Sequence, residues 1–237
     1  MKVGITVSAI KIGLIVVAGG SGQRMGSDCP KQFLKLHNRE IILHTLDVFR
    51  KMNMFGEISV VCHENYLEFC RNLIDNSFGP NNINIVKGGS TRQESVFCGL
   101  KSLSDSNFVL IHDAVRCCVD SEDVKKLCDY LVQSGSCALG VKVKDTVKIS
   151  DTHGNIISTP NRENLWQIQT PQAFEYDVIY SAHEKADACK TVSTDDCALV
   201  EEQGGNIHIV EGSYENIKIT TPSDMDIAGM FLKKRIE

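Results

Sequence analysis

The chain has 237 residues, of which 42% are hydrophobic and 23% charged, an ordinary balance for a soluble globular protein. That length suits one α/β domain with an insertion, spanning 1–237, and can bury a sizeable core without disulfides or structural metal. A net charge of −5 excludes a general pull toward nucleic acid, although a local site can oppose it and take anionic small molecules.

At the amino end, Lys2 followed by apolar residues has the outline of a leader, but Lys11 interrupts the run and no clean cleavage site follows. Gly13–Ala18 reads instead as the first strand of the fold. No apolar run reaches the ~18 residues of a membrane span, so no membrane partner is expected.

Strand and helix then alternate. Ile58–Cys62, Ile83–Val86, Phe108–His112 and Ala138–Val143 are short apolar runs that read as buried strands. Helical spacing appears in Ile41, Ile42, Thr45, Leu46, Val48 and Phe49, and again in Tyr66, Phe69, Cys70, Leu73 and Ile74. Ser95, Val96, Gly99, Leu100 and Leu103 mark a third helix, and Val124, Leu127, Cys128 and Leu131 a fourth. This order predicts a mostly parallel sheet with helices on both faces, and ligands beyond the carboxyl ends of the strands.

Lys144–Asn161 breaks the rhythm. It reads as a hairpin, Thr146–Ile149 and Ile156–Ser158 about the turn Asp151–Asn155, and as a β-arm for pairing two subunits; a local extension within one chain is the plainer alternative. Helices follow near Tyr176–Asp187 and Asp195–Glu202, then a strand at Ile207–Val210 and a last helix from Pro222 to about Lys234. The ten cysteines form no C-x-x-C pair and no zinc-ligand spacing. They read as reduced thiols of a cytoplasmic protein.

The chemistry sits where strands end. Ala18-Gly19-Gly20-Ser21-Gly22-Gln23-Arg24-Met25-Gly26 is a glycine-rich turn after strand one, a place where backbone N–H groups can approach phosphate. Arg24 adds a forked cation and Lys31 a point charge. The spacing matches neither the ATPase phosphate loop nor the dinucleotide fingerprint. Gly88-Gly89-Ser90-Thr91-Arg92-Gln93-Glu94-Ser95 can serve a base or ribose, or simply cap a helix through Ser90 or Thr91 with Glu94. Asp113, in Ile111-His112-Asp113-Ala114-Val115-Arg116, is a strand-end carboxylate placed for a Mg²⁺-linked group, or else a turn cap. His112 reads as packed rather than as a base. Ser193-Thr194-Asp195 reads as a helix start, and Asn216–Thr220 as a short strand displaying Lys218.

With these motifs in order, the chain resembles the 2-C-methyl-D-erythritol 4-phosphate cytidylyltransferases of non-mevalonate isoprenoid synthesis. The carriers are AGGSGQRMG, CPKQFL, GGSTRQESV, IHDAVR, VKDTVK, RENLWQIQTPQAF, STDDCAL and ENIKITTPSDMDIA, spread over about Ile12 to Phe231. The resemblance implies a Rossmann-like nucleotidyltransferase fold, a homodimer joined through the β-arm, CTP and a sugar-alcohol phosphate as substrates, and Mg²⁺ as cofactor. It implies that Arg24, Lys31, Arg162 and Lys218 act in catalysis. Ala18, Gly19, Gly20, Gly22, Gly89, Ser90, Ser95 and Asp113 would surround the nucleotide, with Asp113 also near the metal. Ala114, Arg116, Thr146, Thr170 and Thr194 would surround the acceptor, Thr146 and Arg162 reaching the other subunit's site. Cys117 stands where the family usually has proline, and the first motif reads AGG, as in the related ribitol-5-phosphate cytidylyltransferases. That branch is the alternative; KDTVK and RENLW favour the isoprenoid one. A non-catalytic nucleotide-binding domain would need losses among Arg24, Lys31, Asp113 or Lys218, and all four are present. A NAD-dependent oxidoreductase lacks its acidic ribose anchor, since Glu40 opens a predicted helix.

Overall fold

A computed structural model describes residues 10–20 and 29–235 of the chain. Seven strands make the central sheet: β1 (Ile12–Ala18), β4 (Phe55–Cys62), β5 (Asn84–Lys87), β6 (Phe108–Asp113), β7 (Ser136–Lys142), β10 (Trp166–Glu175) and β11 (His208–Glu211). Their spatial order is β11-β7-β10-β6-β1-β4-β5. β1 runs parallel to β4 and β6, β4 to β5, and β7 to β11; β10 is antiparallel to both neighbours. Two small hairpins stand apart: β2 (Lys35–Leu36) with β3 (Arg39–Glu40), and β8 (Ile149–Ser150) with β9 (Ile156–Ser158).

Alternation within β1 explains the layers. Leu14 and Val16 pack on one face with Leu46 and Phe49 of α1 (Ile41–Met52), Cys70 and Ile74 of α2 (Leu67–Phe78), and Leu127 and Leu131 of α4 (Ser121–Ser134). Ile15 faces the other way, onto Val96 and Leu100 of α3 (Arg92–Lys101), Ile179 and Ala182 of α5 (Tyr176–Cys189), and Leu199 of α6 (Asp196–Glu201). With both faces covered, the parallel strands need no polar alternation. A smaller cluster, including Leu36, Ile41, Val115, Cys117, Ile219 and Ala228, seats α7 (Pro222–Lys234) against the loop after β6. Buried Cys117 fills part of that cluster.

Local chemistry sets the helix ends. Asn53, in the left-handed region at φ 50°, closes α1, and Gly135 at φ 76° closes α4. Asp120 caps α4 by accepting from the Glu122 N–H. Pro222 opens α7, while Asp224 accepts from the Thr220 and Thr221 N–H groups at 2.8 Å each.

The sequence expectation for the sheet holds, with three corrections. First, β10 lies at the centre of the sheet, although Gln169-Thr170-Pro171-Gln172 does not read as a strand. Proline is tolerated there because the pairing with β7 shifts register between Ile168 and Gln172, leaving no ladder bond for Pro171 to donate. Second, the first arm strand is Ile149–Ser150 rather than Thr146–Ile149. The Asp151 carboxylate accepts from the His153 and Asn155 N–H groups, forming a tight turn, and only the residues beside it pair. Third, Asn216–Thr220 is irregular. The Asn216 N–H donates to Ser213 and the Ile217 N–H to Glu215, so the chain turns there instead of joining a ladder.

None of the ten cysteines forms a disulfide, and of them only Cys189 is exposed. Among the described residues no helix is long and apolar enough to cross a membrane.

Candidate active site

From β1 the chain moves outward to β4 and β5, then returns to place β6 on β1's other side. The crevice beyond the carboxyl ends of β1 and β6 is therefore a topological switch point, where ligands of open α/β sheets bind. A cleft of about 820 Å³ lies there, within the usual range for small-molecule sites. It is lined by Ala18, Gly19 and Gly20 after β1, Lys31 and Gln32, His63 and Glu64 after β4, Lys87–Arg92 after β5, Ser95, Asp113, Val115 and Lys218.

The glycine walls have steric causes. Gln32, itself buried, donates from Nε2 to the Ala18 carbonyl at 2.5 Å and pins the end of β1. A Cβ on Gly88 would sit 2.7 Å from Ser95 Oγ, and one on Gly89 would sit 2.3 Å from Glu94 Cβ. Both glycines are thus required by the close approach of the first turn of α3. The Thr91 hydroxyl caps α3 by accepting from the Glu94 N–H, while Glu94 Oε2 accepts from the Ser90 N–H at 2.7 Å. The capping reading of this loop holds, and the same residues line the cleft. Ser95 is buried and donates to the Thr91 carbonyl at 2.8 Å, bracing the loop from beneath.

Asp113 is the electrostatic centre. Its carboxylate is 8% exposed and meets three cations: Lys218 Nζ at 2.9 Å, Arg92 Nε at 3.3 Å and Arg116 Nε at 3.5 Å. Burial pushes this carboxyl up, but Arg92, Lys218 and Arg116 outweigh it and hold it well below the usual carboxylate range. The backbone beneath is fixed by a run of donors. The Asp113 N–H donates to Thr170 Oγ1 at 3.0 Å, and that hydroxyl donates to His112 Nδ1 at 3.0 Å. His112 Nε2 then donates to the Arg116 carbonyl at 3.2 Å, which settles its tautomer. Burial pulls His112 down to about 3, so it is neutral and serves as scaffold. Arg116 donates to the Asn216 carbonyl at 2.7 Å, and buried Asn216 donates to the Thr170 carbonyl at 2.9 Å. These bonds set the irregular segment that carries Lys218.

Of the residues expected in the site, Ala18, Gly19, Gly20, Lys31, Gly89, Ser90, Ser95, Asp113 and Lys218 line one cleft. Ala114, Arg116 and Thr170 lie under its floor. Ala114 is fully buried, with its carbonyl accepting from Thr45. The Thr170 hydroxyl is likewise committed within the protein. Thr146, Arg162 and Thr194 are exposed and do not line the cleft; Arg162 instead donates to the Lys144 carbonyl at 2.9 Å at the root of the arm. Gly22 and Arg24 lie outside the described residues.

Arg92 escaped the sequence reading. It occupies the first position of α3, where the helix dipole disfavours a cation, and that misfit is the signal that could have found it. Two carboxylates hold it, Asp113 and Asp196. At the rim, Lys87 pairs with Glu64 across the mouth of the cleft.

Comparison with known proteins places this geometry. A family model described as 2-C-methyl-D-erythritol 4-phosphate cytidylyltransferase matches residues 12–234. Proteins of that name from Alkaliphilus oremlandii and Clostridium botulinum are similar to this chain. The first is 41% identical over 229 residues, covering 96% of this chain and 97% of the relative; the second is 44% identical over 226 residues, covering 94% and 98%. The crystal structure of 4-diphosphocytidyl-2C-methyl-D-erythritol synthase from Anaerococcus prevotii superposes with a TM-score of 0.85. It is 34% identical, with 96% of this chain and 98% of that chain covered.

Proposed function

The chain belongs to the family of 2-C-methyl-D-erythritol 4-phosphate cytidylyltransferases, and from that premise we propose how its own residues carry the reaction. The enzyme transfers CMP from CTP to 2-C-methyl-D-erythritol 4-phosphate in isoprenoid biosynthesis and releases pyrophosphate. A phosphate oxygen of the acceptor forms the new bond to the α-phosphorus while the bond to pyrophosphate breaks. The attacking phosphate is already ionised near neutral pH, so no protein base is needed, in keeping with neutral, buried His112. The protein must align two anions and offset charge in the transition state.

The observation that carries this reading is the cationic rim of one glycine-walled cleft. Lys31, Arg92 and Lys218 surround it, and Asp113 holds the last two in place. Lys31 and Arg24 take the triphosphate and the charge that grows on the α-phosphate. Lys218 is 39% exposed with its ammonium on Asp113, so it is placed to meet the acceptor phosphate and screen its repulsion from CTP.

The residues present fit a magnesium ion carried in on CTP. Asp113, ionised and at the cleft floor, is the residue that would hold it. When bound, Mg²⁺ supplies charge neutralisation at the phosphate oxygens.

The functional unit in this reading is a homodimer in the cytoplasm. Ile149, Ile156 and Ile157 on the arm are 50%, 64% and 67% exposed, an apolar surface that a second copy would cover. Thr146 and Arg162 lie near the root of that arm, away from their own cleft, and so are placed to serve the partner's acceptor site. Ten cysteines without a disulfide suit a reducing compartment.

A pyrophosphate-release assay tests the reading. Turnover is expected with CTP and 2-C-methyl-D-erythritol 4-phosphate, and little with ATP in place of CTP or ribitol 5-phosphate in place of the acceptor. Equal rates with ATP would overturn the nucleotide assignment, and preference for ribitol 5-phosphate the acceptor assignment.

A further inference from the structure

Behind the cleft lies a buried histidine–aspartate pair to which the reaction gives no role. His183, midway along α5, and Asp196, the first residue of α6, both have side chains 1% exposed. His183 Nε2 is 3.1 Å from Asp196 Oδ1, and Asp196 Oδ2 accepts from an Arg92 guanidinium nitrogen at 2.8 Å. Arg92 Nε continues the line to Asp113 Oδ1 at 3.3 Å. Three contacts thus run from the α5–α6 layer to the floor of the cleft.

The chemistry of each link argues that the line matters. Arg92 gets no help from its helix, because the first turn of α3 is the positive end of the helix dipole. Its orientation rests on the two carboxylates. Asp196 is fixed from two sides: Gln172 Oε1 accepts from the Asp196 and Cys197 N–H groups, and His183 donates to the side chain. Burial raises the Asp196 carboxyl, but the Arg92 charge and the His183 hydrogen bond prevail and keep it below its ordinary value. The His183 ring stacks on Phe97 with centroids 5.9 Å apart, and its buried Nδ1 has no hydrogen-bond partner among the described residues. An orphaned ring nitrogen in the core costs free energy that an apolar ring of the same shape would avoid. What the histidine has and phenylalanine lacks is the Nε2 donor on Asp196.

We infer that His183 is a positioning residue for the nucleotide: through Asp196 it fixes the guanidinium of Arg92, and with it the Asp113 carboxylate at the floor of the CTP cleft. The inference rests on the assignment of that cleft to CTP. His183 touches no substrate. Its effect is on how well the cleft is preorganised, which acts on nucleotide binding before and during the transfer alike.

Steady-state kinetics of the full chain with Mg²⁺ tests this, CTP and acceptor each being varied with the other saturating. His183→Phe keeps the ring and removes the donor. It is expected to raise the KM for CTP about tenfold, the size of one charge-assisted hydrogen bond, with kcat and the acceptor KM within about twofold. His183→Gln, which can place an amide N–H near the Nε2 position, is expected to restore the CTP KM to within about threefold of wild type. Asp196→Asn should show the same signature confined to KM, and it stands in should His183→Phe not fold. A CTP KM within twofold of wild type in His183→Phe or Asp196→Asn overturns the inference, as does an equal rise in both KM values or no rescue by glutamine. Wild-type enzyme that fails to turn over CTP would instead overturn the assignment of the cleft.

Discussion

Replacing Asp113 by asparagine tests the electrostatic centre of the cleft directly. The carboxylate is 8% exposed and lies 2.9–3.5 Å from Lys218, Arg92 and Arg116, so the change leaves three cations facing one another around a neutral amide. Arg92 keeps Asp196 as a counter-charge, and Lys218, 39% exposed, can turn to water. Arg116 can do neither easily: its side chain is 12% exposed, and its other recorded bond is to the Asn216 carbonyl. Breaking a buried pair by removing one partner typically costs about 3–5 kcal/mol. For a chain of this size each kcal/mol moves the melting temperature by about 2–4 °C, so Asp113→Asn should melt roughly 6–20 °C lower. Adding Lys218→Met should recover little of that loss, because Lys218 can already turn to water and the strain stays on Arg116. Calorimetry or thermal circular dichroism of wild type, the single variants and the double variant closes the cycle. A melting temperature for Asp113→Asn within about 2 °C of wild type would refute the claim that this carboxylate organises the cluster.

Lys31→Ala is expected to lower kcat by roughly a hundredfold, about 3 kcal/mol, while changing substrate binding little, as befits a cation acting as charge moves onto the α-phosphate. A near-wild-type kcat at saturating CTP would remove Lys31 from catalysis. Deleting 151–155, or replacing exposed Ile156 and Ile157 with aspartate, should weaken dimerisation and activity together, and a fully active monomer by light scattering would count against the arm. The carboxyls of Asp113 and Asp196 have lowered folded-state values, so their contribution to stability is fully present above the unfolded value of about 3.9. It is lost only as pH falls through the lowered folded values. Urea midpoints should therefore show no slope from these two groups between about pH 5 and 8, and Asp113→Asn should lose less stability than wild type between about pH 4 and 2.

The sheet was legible because parallel strands buried on both faces leave continuous apolar runs, as in Leu14–Val17 and Val109–Ile111. Most of the cleft was legible for a related reason. Glycines, Lys31 and Asp113 lie just beyond strand ends, where an open α/β sheet places its ligands. β10 was hidden by Thr170-Pro171, since a proline argues against a central strand unless the register shift that tolerates it is known. Lys218 lines the cleft, but from an irregular segment rather than the short strand expected of Asn216–Thr220. What holds its segment is the buried Asn216 side chain, a contact between residues 46 positions apart that no local pattern encodes. Arg92 and Asp196 are partners 104 residues apart, and His183 read only as part of a helix.

The place of β10 has a consequence for the order in which the molecule can be assembled. β5, β4, β1 and β6 are neighbours as soon as residue 113 has been made, whereas β7 reaches them only through β10. Until residues 166–175 arrive, β7 has no partner on that side and the Asp113 edge of the nascent sheet stays open. β10 is thus a seam, sewn late between two blocks already synthesised, and the arm of 144–161 leaves the template before it. A ribosome-bound chain that stops short of the seam would hold a four-stranded half-sheet without the Thr170 hydroxyl that receives the Asp113 N–H. Long-range closure of this kind slows folding and exposes strand edges while it waits. The cleft floor is therefore among the last parts of the protein to become native.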